Sequence, residues 1–195
     1  MFLFFAVVAG ALAIAVLIGG DVRRLGAVRL EQPGLLIFAM AVKVSVALLG
    51  LTALTLAALL ARPLTLVAAG VLLAATWWNR RLPGARVFGL GLLSNLVVIA
   101  SFGGRMPVLL PSDFAPAPGG AIPALRAGLD PLHVLLSHAQ GLSFLGDVFV
   151  VPGLVGRASL VSVGDLLMAA GVAVFIVRFS QRRLAAGAMQ PIPAK

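Results

Sequence analysis

Two of the six acidic side chains, Asp147 and Asp165, stand where a carboxylate needs a reason to be. Asp147 follows Gly146 and is flanked by Phe144, Leu145, Val148, Phe149 and Val150, while Asp165 opens an apolar run that continues to Val177. An ionisable group in such surroundings is costly, so it marks a site unless local structure consumes it. If the chain brings Asp147 back to Asp165, the two make a dyad. Like charges in a low-dielectric site cannot both ionise easily, so one carboxyl keeps its proton and the pair can act as general acid and base on a water. Each residue also has a structural reading. Ser162-Val-Gly-Asp165 fits a capping box, with Ser162 capping a helix and Asp165 reaching back to the backbone. Asp147 reads equally well as a turn aspartate.

Other polar residues are weaker candidates for binding. Arg105 stands in Gly103-Gly104-Arg105-Met106-Pro107, a helix stop with glycine for the left-handed turn, a cation at the negative end and proline beyond. Its second reading is a partner for Asp147 or Asp165, or for an anionic lipid headgroup. Asn95, two turns earlier, suits a bridge between helices or a substrate contact. His138 is kept as a binding candidate, although His133 and His138 are five apart and fall on different faces of a helix, so no metal site is expected. Lys43 reads as a buried partner for a carboxylate or as a side chain that snorkels. The chain has no cysteine, which excludes disulfides and thiolate chemistry. It has no phosphate-cradling glycine loop and no Gly-x-Ser-x-Gly elbow, and no cofactor is expected.

The elements that must position these residues are membrane helices. Of 195 residues, 61% are hydrophobic and 11% charged, against roughly 25% charged in soluble domains. The mean hydropathy is +1.12, and a chain this small has too little interior to hide so much apolar surface. Five apolar stretches are read as spans, at about 2–19, 35–61, 63–78, 82–102 and 160–177. The first lacks the charged leader and cleavage site of a secretory signal and is read as retained. Arginines follow spans one, three and five (Arg23, Arg24, Arg29; Arg80, Arg81, Arg86; Arg178, Arg182, Arg183), and the opposite side holds only Arg62, Arg105, Arg126 and Arg157. Cytoplasmic loops collect such charge, so the N-terminus is placed outside and the C-terminus inside. The net charge of +9 is then a statement of orientation, and no nucleic-acid partner is expected.

Residues 103–159 form an outer segment between spans four and five. Phe114 to Ala124, with three prolines and two glycines, predicts a linker. Asp130-Pro131 predicts a short helix running to about His138 or Gln140. The apolar stretch 142–152 is too short to span as a helix and is read as re-entrant or interfacial. The tail 184–195 reads as a frayed extension.

Three landmarks together resemble the DUF5317 family of uncharacterised bacterial integral membrane proteins: Gly103-Gly104-Arg105-Met106-Pro107, Leu145-Gly146-Asp147 and Ser162-Val-Gly-Asp165. The resemblance implies a bacterial cytoplasmic-membrane protein and brings no activity with it. In topology the chain is also similar to lipoprotein signal peptidases, which use two aspartates at the outer membrane face, the second at the start of the last helix. Asp147 and Asp165 would take those places. Ser162 stands where that family has asparagine, no Asn-x-x-Asp-Arg precedes Asp147, and five spans are read in place of four. The expectation is therefore an all-α, polytopic bundle of one membrane domain. It serves as a non-catalytic accessory component that contacts the lipid bilayer and other membrane subunits. The alternative is an outer-face aspartic hydrolase or peptidase using Asp147 and Asp165.

Overall fold

A computed structural model of the chain describes residues 2–49, 55–111, 114, 122–152 and 158–181. Five long helices dominate: α1 (Phe2–Leu17), α2 (Pro33–Leu49), α3 (Thr55–Trp78), α4 (Ala85–Ser101) and, after a short α5 (Ile122–Arg126), α6 (Val163–Gln181). Helix α6 packs between α1 and α4, and α3 between α4 and α2. Ala11 and Ala15 of α1 are buried against Ile176, because small residues let helix backbones approach closely. A turn of 3₁₀ helix at Val22–Ala27 follows α1, with Asp21 accepting the Arg23 N–H at 3.0 Å.

Helices α3, from Leu59 to Trp78, and α6 are long and apolar enough to cross a membrane. Phe2–Leu17, Pro33–Val46 and Ala85–Ser101 are apolar but shorter. Large apolar side chains face outwards on these helices, with Leu17 83%, Phe5 72%, Ile37 70% and Trp77 66% exposed. A soluble surface rarely carries so many.

The expected break between spans two and three is misplaced. Pro63 lies inside α3 rather than at a helix start, and α3 begins at Thr55. Proline removes one backbone donor and disturbs the turn before it. Here Thr65 bonds back to the Ala61 carbonyl at 2.8 Å, and the Arg62 Nε donates to the Pro131 carbonyl at 3.2 Å. Arg62 is thus a tie between α3 and the segment after α4, where the sequence reading had a loop cation.

At the other end of α3, Asn79 is buried and closes the loop before α2. Its Oδ1 accepts the Glu31 N–H at 2.9 Å, and its Nδ2 donates to the carbonyls of Glu31 (2.9 Å) and Ala75 (2.8 Å). Asn79→Ala removes three side-chain hydrogen bonds that tie the loop before α2 to the end of α3 and is expected to cost about 1–3 kcal/mol, read as a lower thermal midpoint in detergent.

The all-α expectation needs correction. The segment between α4 and α6 folds into a four-stranded sheet of β1 (Met106–Leu109), β2 (His133–Leu136), β3 (Asp147–Val151) and β4 (Ser159–Ser162), in the order β2-β1-β3-β4. Strand β1 is parallel to both β2 and β3, and β3 is antiparallel to β4. The helix expected after Asp130-Pro131 is therefore strand β2. Asp130 does cap, accepting the N–H groups of Leu132 (2.8 Å) and His133 (3.0 Å), but the chain then pairs with β1. The stretch 142–152, expected to be re-entrant or interfacial, is a 3₁₀ turn at Ser143–Leu145 followed by β3. The stretch 160–162, expected as the start of span five, belongs to β4, which runs directly into α6. The linker expected after Phe114 and the tail from 184 lie outside the described residues, apart from Phe114 itself and Ile122–Ala124.

The helix stop after α4 is as expected. Gly103 and Gly104 take positive φ of 66° and 83°, and the Gly104 N–H reaches back to the Ile99 carbonyl at 2.9 Å.

Candidate functional site

The site grows from the point where β4 becomes α6. Ser162 caps α6, its Oγ accepting the Asp165 N–H at 2.9 Å, and the Asp165 Oδ2 accepts the Ser162 N–H at 3.3 Å. This is the reciprocal capping box that the sequence predicts. A third residue joins it from α4. The Asn95 Nδ2 donates to the Asp165 Oδ1 at 3.0 Å, and the Asn95 Oδ1 accepts from the Ser162 Oγ at 2.8 Å. Both Asp165 oxygens thus accept hydrogen bonds.

Glycine makes this closeness possible. A Cβ on Gly164 would strike the Asn95 side chain and the Gly91 carbonyl, and a Cβ on Gly91 would strike the Gly164 carbonyl. The two helices touch backbone to backbone at this level, which brings Asn95 within reach of Asp165.

Asp147 arrives on β3, opposite Ser162 in the β3–β4 register, where an irregularity interrupts the pairing before Phe149. It faces a cavity of about 310 Å³ that Asp165 also lines, together with Lys43 of α2, Thr65 of α3 and His133 of β2. Val46, Ile99, Met106 and Leu132 supply the apolar wall. Five elements (α2, α3, β2, β3 and α6) thus bring two carboxylates, an imidazole, a lysine and a hydroxyl to one space.

The electrostatics separate the groups. Burial, and then the Asp165 charge, push the Asp147 carboxyl up to about 7, against the opposing pull of His133. The His133 Nδ1 sits 2.9 Å from the Asp130 Oδ2. That hydrogen bond raises the imidazole pKa against burial, helped by the charges of Asp130 and Asp147. Burial alone would raise Asp130; its hydrogen bond and attraction to His133, with two backbone N–H donors, outweigh this and hold it below the usual carboxylate range.

The candidates named from sequence thus divide. Asp147, Asp165 and Asn95 come together. Arg105 does not line the cavity, and its Nε is buried without a hydrogen-bond partner among the described residues. The expected pairing of Arg105 with either aspartate is absent from the described contacts. His138 is exposed and, among the described residues, its side chain bonds its neighbour Ser137, at 3.0 Å. His133, passed over as one of two mismatched histidines, belongs to the site, and so does Lys43. The signal for His133 was the Asp130-Pro131 turn, which fixes the residue three positions on. Among the described residues no cluster of three or more His, Cys, Asp or Glu side chains could hold a metal ion.

A 100-residue stretch is 31% identical to an uncharacterised protein of Thermotoga maritima, covering 51% of this chain and 54% of that one. The chain thus matches only about half the length of that relative. No solved structure matches. A family model described as a family of unknown function, DUF5317, matches residues 27–177, which hold β1 to β4, all the cavity residues and most of α6. The chain belongs to the DUF5317 family.

Proposed function

We propose that this is a bacterial cytoplasmic-membrane protein in which α1, α2, α3, α4 and α6 cross the bilayer. Its N-terminus is outside and its sheet lies at the outer face, where Asp147 and Asp165 form the acid–base pair of a membrane hydrolase. The observation that carries the reading is the shared cavity: two carboxylates 18 positions apart line one space with Lys43 and His133. In this reading Asp165 is the base and Asp147 the acid. Asp165 takes a proton from a water that attacks a carbonyl carbon, and Asp147 gives its proton to the carbonyl oxygen. Collapse of the tetrahedral intermediate breaks its bond to the leaving group, Asp165 giving that group the proton taken from water while Asp147 regains its proton from the hydroxyl. Lys43, across the cavity, is placed to hold an anionic part of the substrate.

A different observation favours a second reading, that of a non-catalytic subunit in a larger membrane assembly. The bonds of Asp165 to Asn95 and Ser162 give that carboxylate an architectural task of its own. One experiment separates the two. The full chain in lipid nanodiscs is given a library of fluorogenic single-span peptides. The hydrolase reading expects cleavage that Asp147→Asn and Asp165→Asn each lower by at least about 100-fold, with protein abundance unchanged. It also expects the rate to fall as pH rises through about 7 and Asp147 loses its proton. No cleavage by the unaltered protein, with loss of abundance and of co-purifying subunits in Asp165→Asn, would establish the accessory role instead.

A further inference from the structure

The Asp130–His133 pair has no part in the acid–base step, yet it is built with more care than a turn requires. The Asp130 Oδ1 is already committed to two backbone donors, Leu132 N and His133 N. Those bonds fix the carboxylate, and its second oxygen takes the His133 Nδ1 at 2.9 Å. An imidazole held at Nδ1 by a carboxylate has its ring orientation and tautomer set, and Nε2 becomes the nitrogen free to exchange a proton. The ring lines the same cavity as Asp147, the two residues reaching it from β2 and β3 on opposite sides of β1. Its side chain is also 40% exposed, and that of Asp130 is 20% exposed. His133 is therefore open both to the cavity and to the surroundings.

We infer that His133, oriented by Asp130, is the proton relay that carries protons between external water and Asp147. In the inward step the imidazolium gives its Nε2 proton to a water in the cavity, and that water passes a proton on to ionised Asp147. The neutral ring then takes a proton from water, and no oxidant or reductant is needed. The positive ring is stabilised by the hydrogen bond to Asp130 and by the charges of Asp130 and Asp147, which raise the imidazole pKa against burial. Other charged groups around it are Lys43 on α2, Asp165 on α6, and Arg62 on α3, which holds the Pro131 carbonyl beside Asp130. Thr65 on α3 is neutral, and α4 presents only Ile99 to the cavity.

This relay rests on the acid–base reading only in that Asp147 is the group being served, and its test does not depend on cleavage. The full chain in nanodiscs is followed by infrared absorption of the protonated Asp147 carboxyl, assigned by Asp147→Asn, after a light-triggered pH jump. The relay expects protonation of Asp147 to slow by at least about tenfold in His133→Gln. Millimolar imidazole should restore the rate in His133→Ala, and Asp130→Asn should slow it while shifting the ¹⁵N signature of the His133 ring away from the Nδ1–H tautomer. An Asp147 band that still titrates in His133→Gln, at an unchanged rate and without rescue by imidazole, overturns the relay and leaves the acid–base reading standing. An Asp147 carboxyl that never titrates between pH 5 and 9 overturns both.

Discussion

Asp147→Asn is expected to make the protein more stable at pH 8 and unchanged at pH 4. The carboxyl is raised from an ordinary 3.8 to about 7 in the fold, so the native state binds a proton more tightly than the unfolded chain does. Stability from this group is fully present below pH 4 and is lost as pH rises through about 7. Asparagine keeps the shape and never ionises. The shift corresponds to about 4 kcal/mol, and solvent at the open side of the cavity cuts that to about 2 kcal/mol. Thermal unfolding of both proteins across pH 4–9 reads it directly. The curves should coincide at pH 4 and diverge with increasing pH, with the variant above. Parallel curves would show that Asp147 carries no such burden. A stabilised variant that has also lost activity would mark Asp147 as a residue kept for chemistry at the expense of stability.

Gly164→Ala is expected to be strongly destabilising. The added carbon would meet the Asn95 amide and the Gly91 carbonyl, so α4 and α6 must separate. Overpacking of this kind costs about 1–3 kcal/mol, and separation also breaks the Asn95–Asp165 and Ser162–Asn95 bonds. Together about 3 kcal/mol or more is expected, seen as loss of monodisperse protein in mild detergent. Gly89→Ala, on the partner helix α4, is the control. Its Cβ would meet only the methyl group of Thr76, at 3.3 Å, and a small change is expected. Equal behaviour of the two variants would rule out backbone contact as the source.

The helices and the cap were legible because their signals are local. Ser162 and Asp165 lie three residues apart, and the box they form is the one observed. The stop at Gly103-Gly104 was equally plain. What could not be read was pairing over distance. His133 to Leu136 follows an Asp-Pro pair that starts helices as readily as turns, and a histidine with three apolar residues is too short to show a period of its own. Only β1, more than twenty residues earlier, makes them a strand. Arg62-Pro63 misled for a related reason. A proline and a cation next to each other look like a loop until Pro131, far along the chain, offers its carbonyl to the arginine. Within the site, Asp147, Asp165 and Asn95 stood out as polar groups in apolar runs. Lys43 and His133 joined them only through the sheet and the packing of α2 with α3.

Continuity of β4 with α6 has a consequence for how the molecule is made. Asp165 takes its place only when the last helix has started at Val163, and Asp147 takes its place only when β3 has paired with the strand leading into that helix. The segment that carries β1, β2 and β3 leaves the ribosome earlier and must wait, its parallel strands joined only by long connections. The carboxylate pair can therefore assemble only once α6 has been made. A chain truncated before α6 lacks Asp165 and the capping box that holds it.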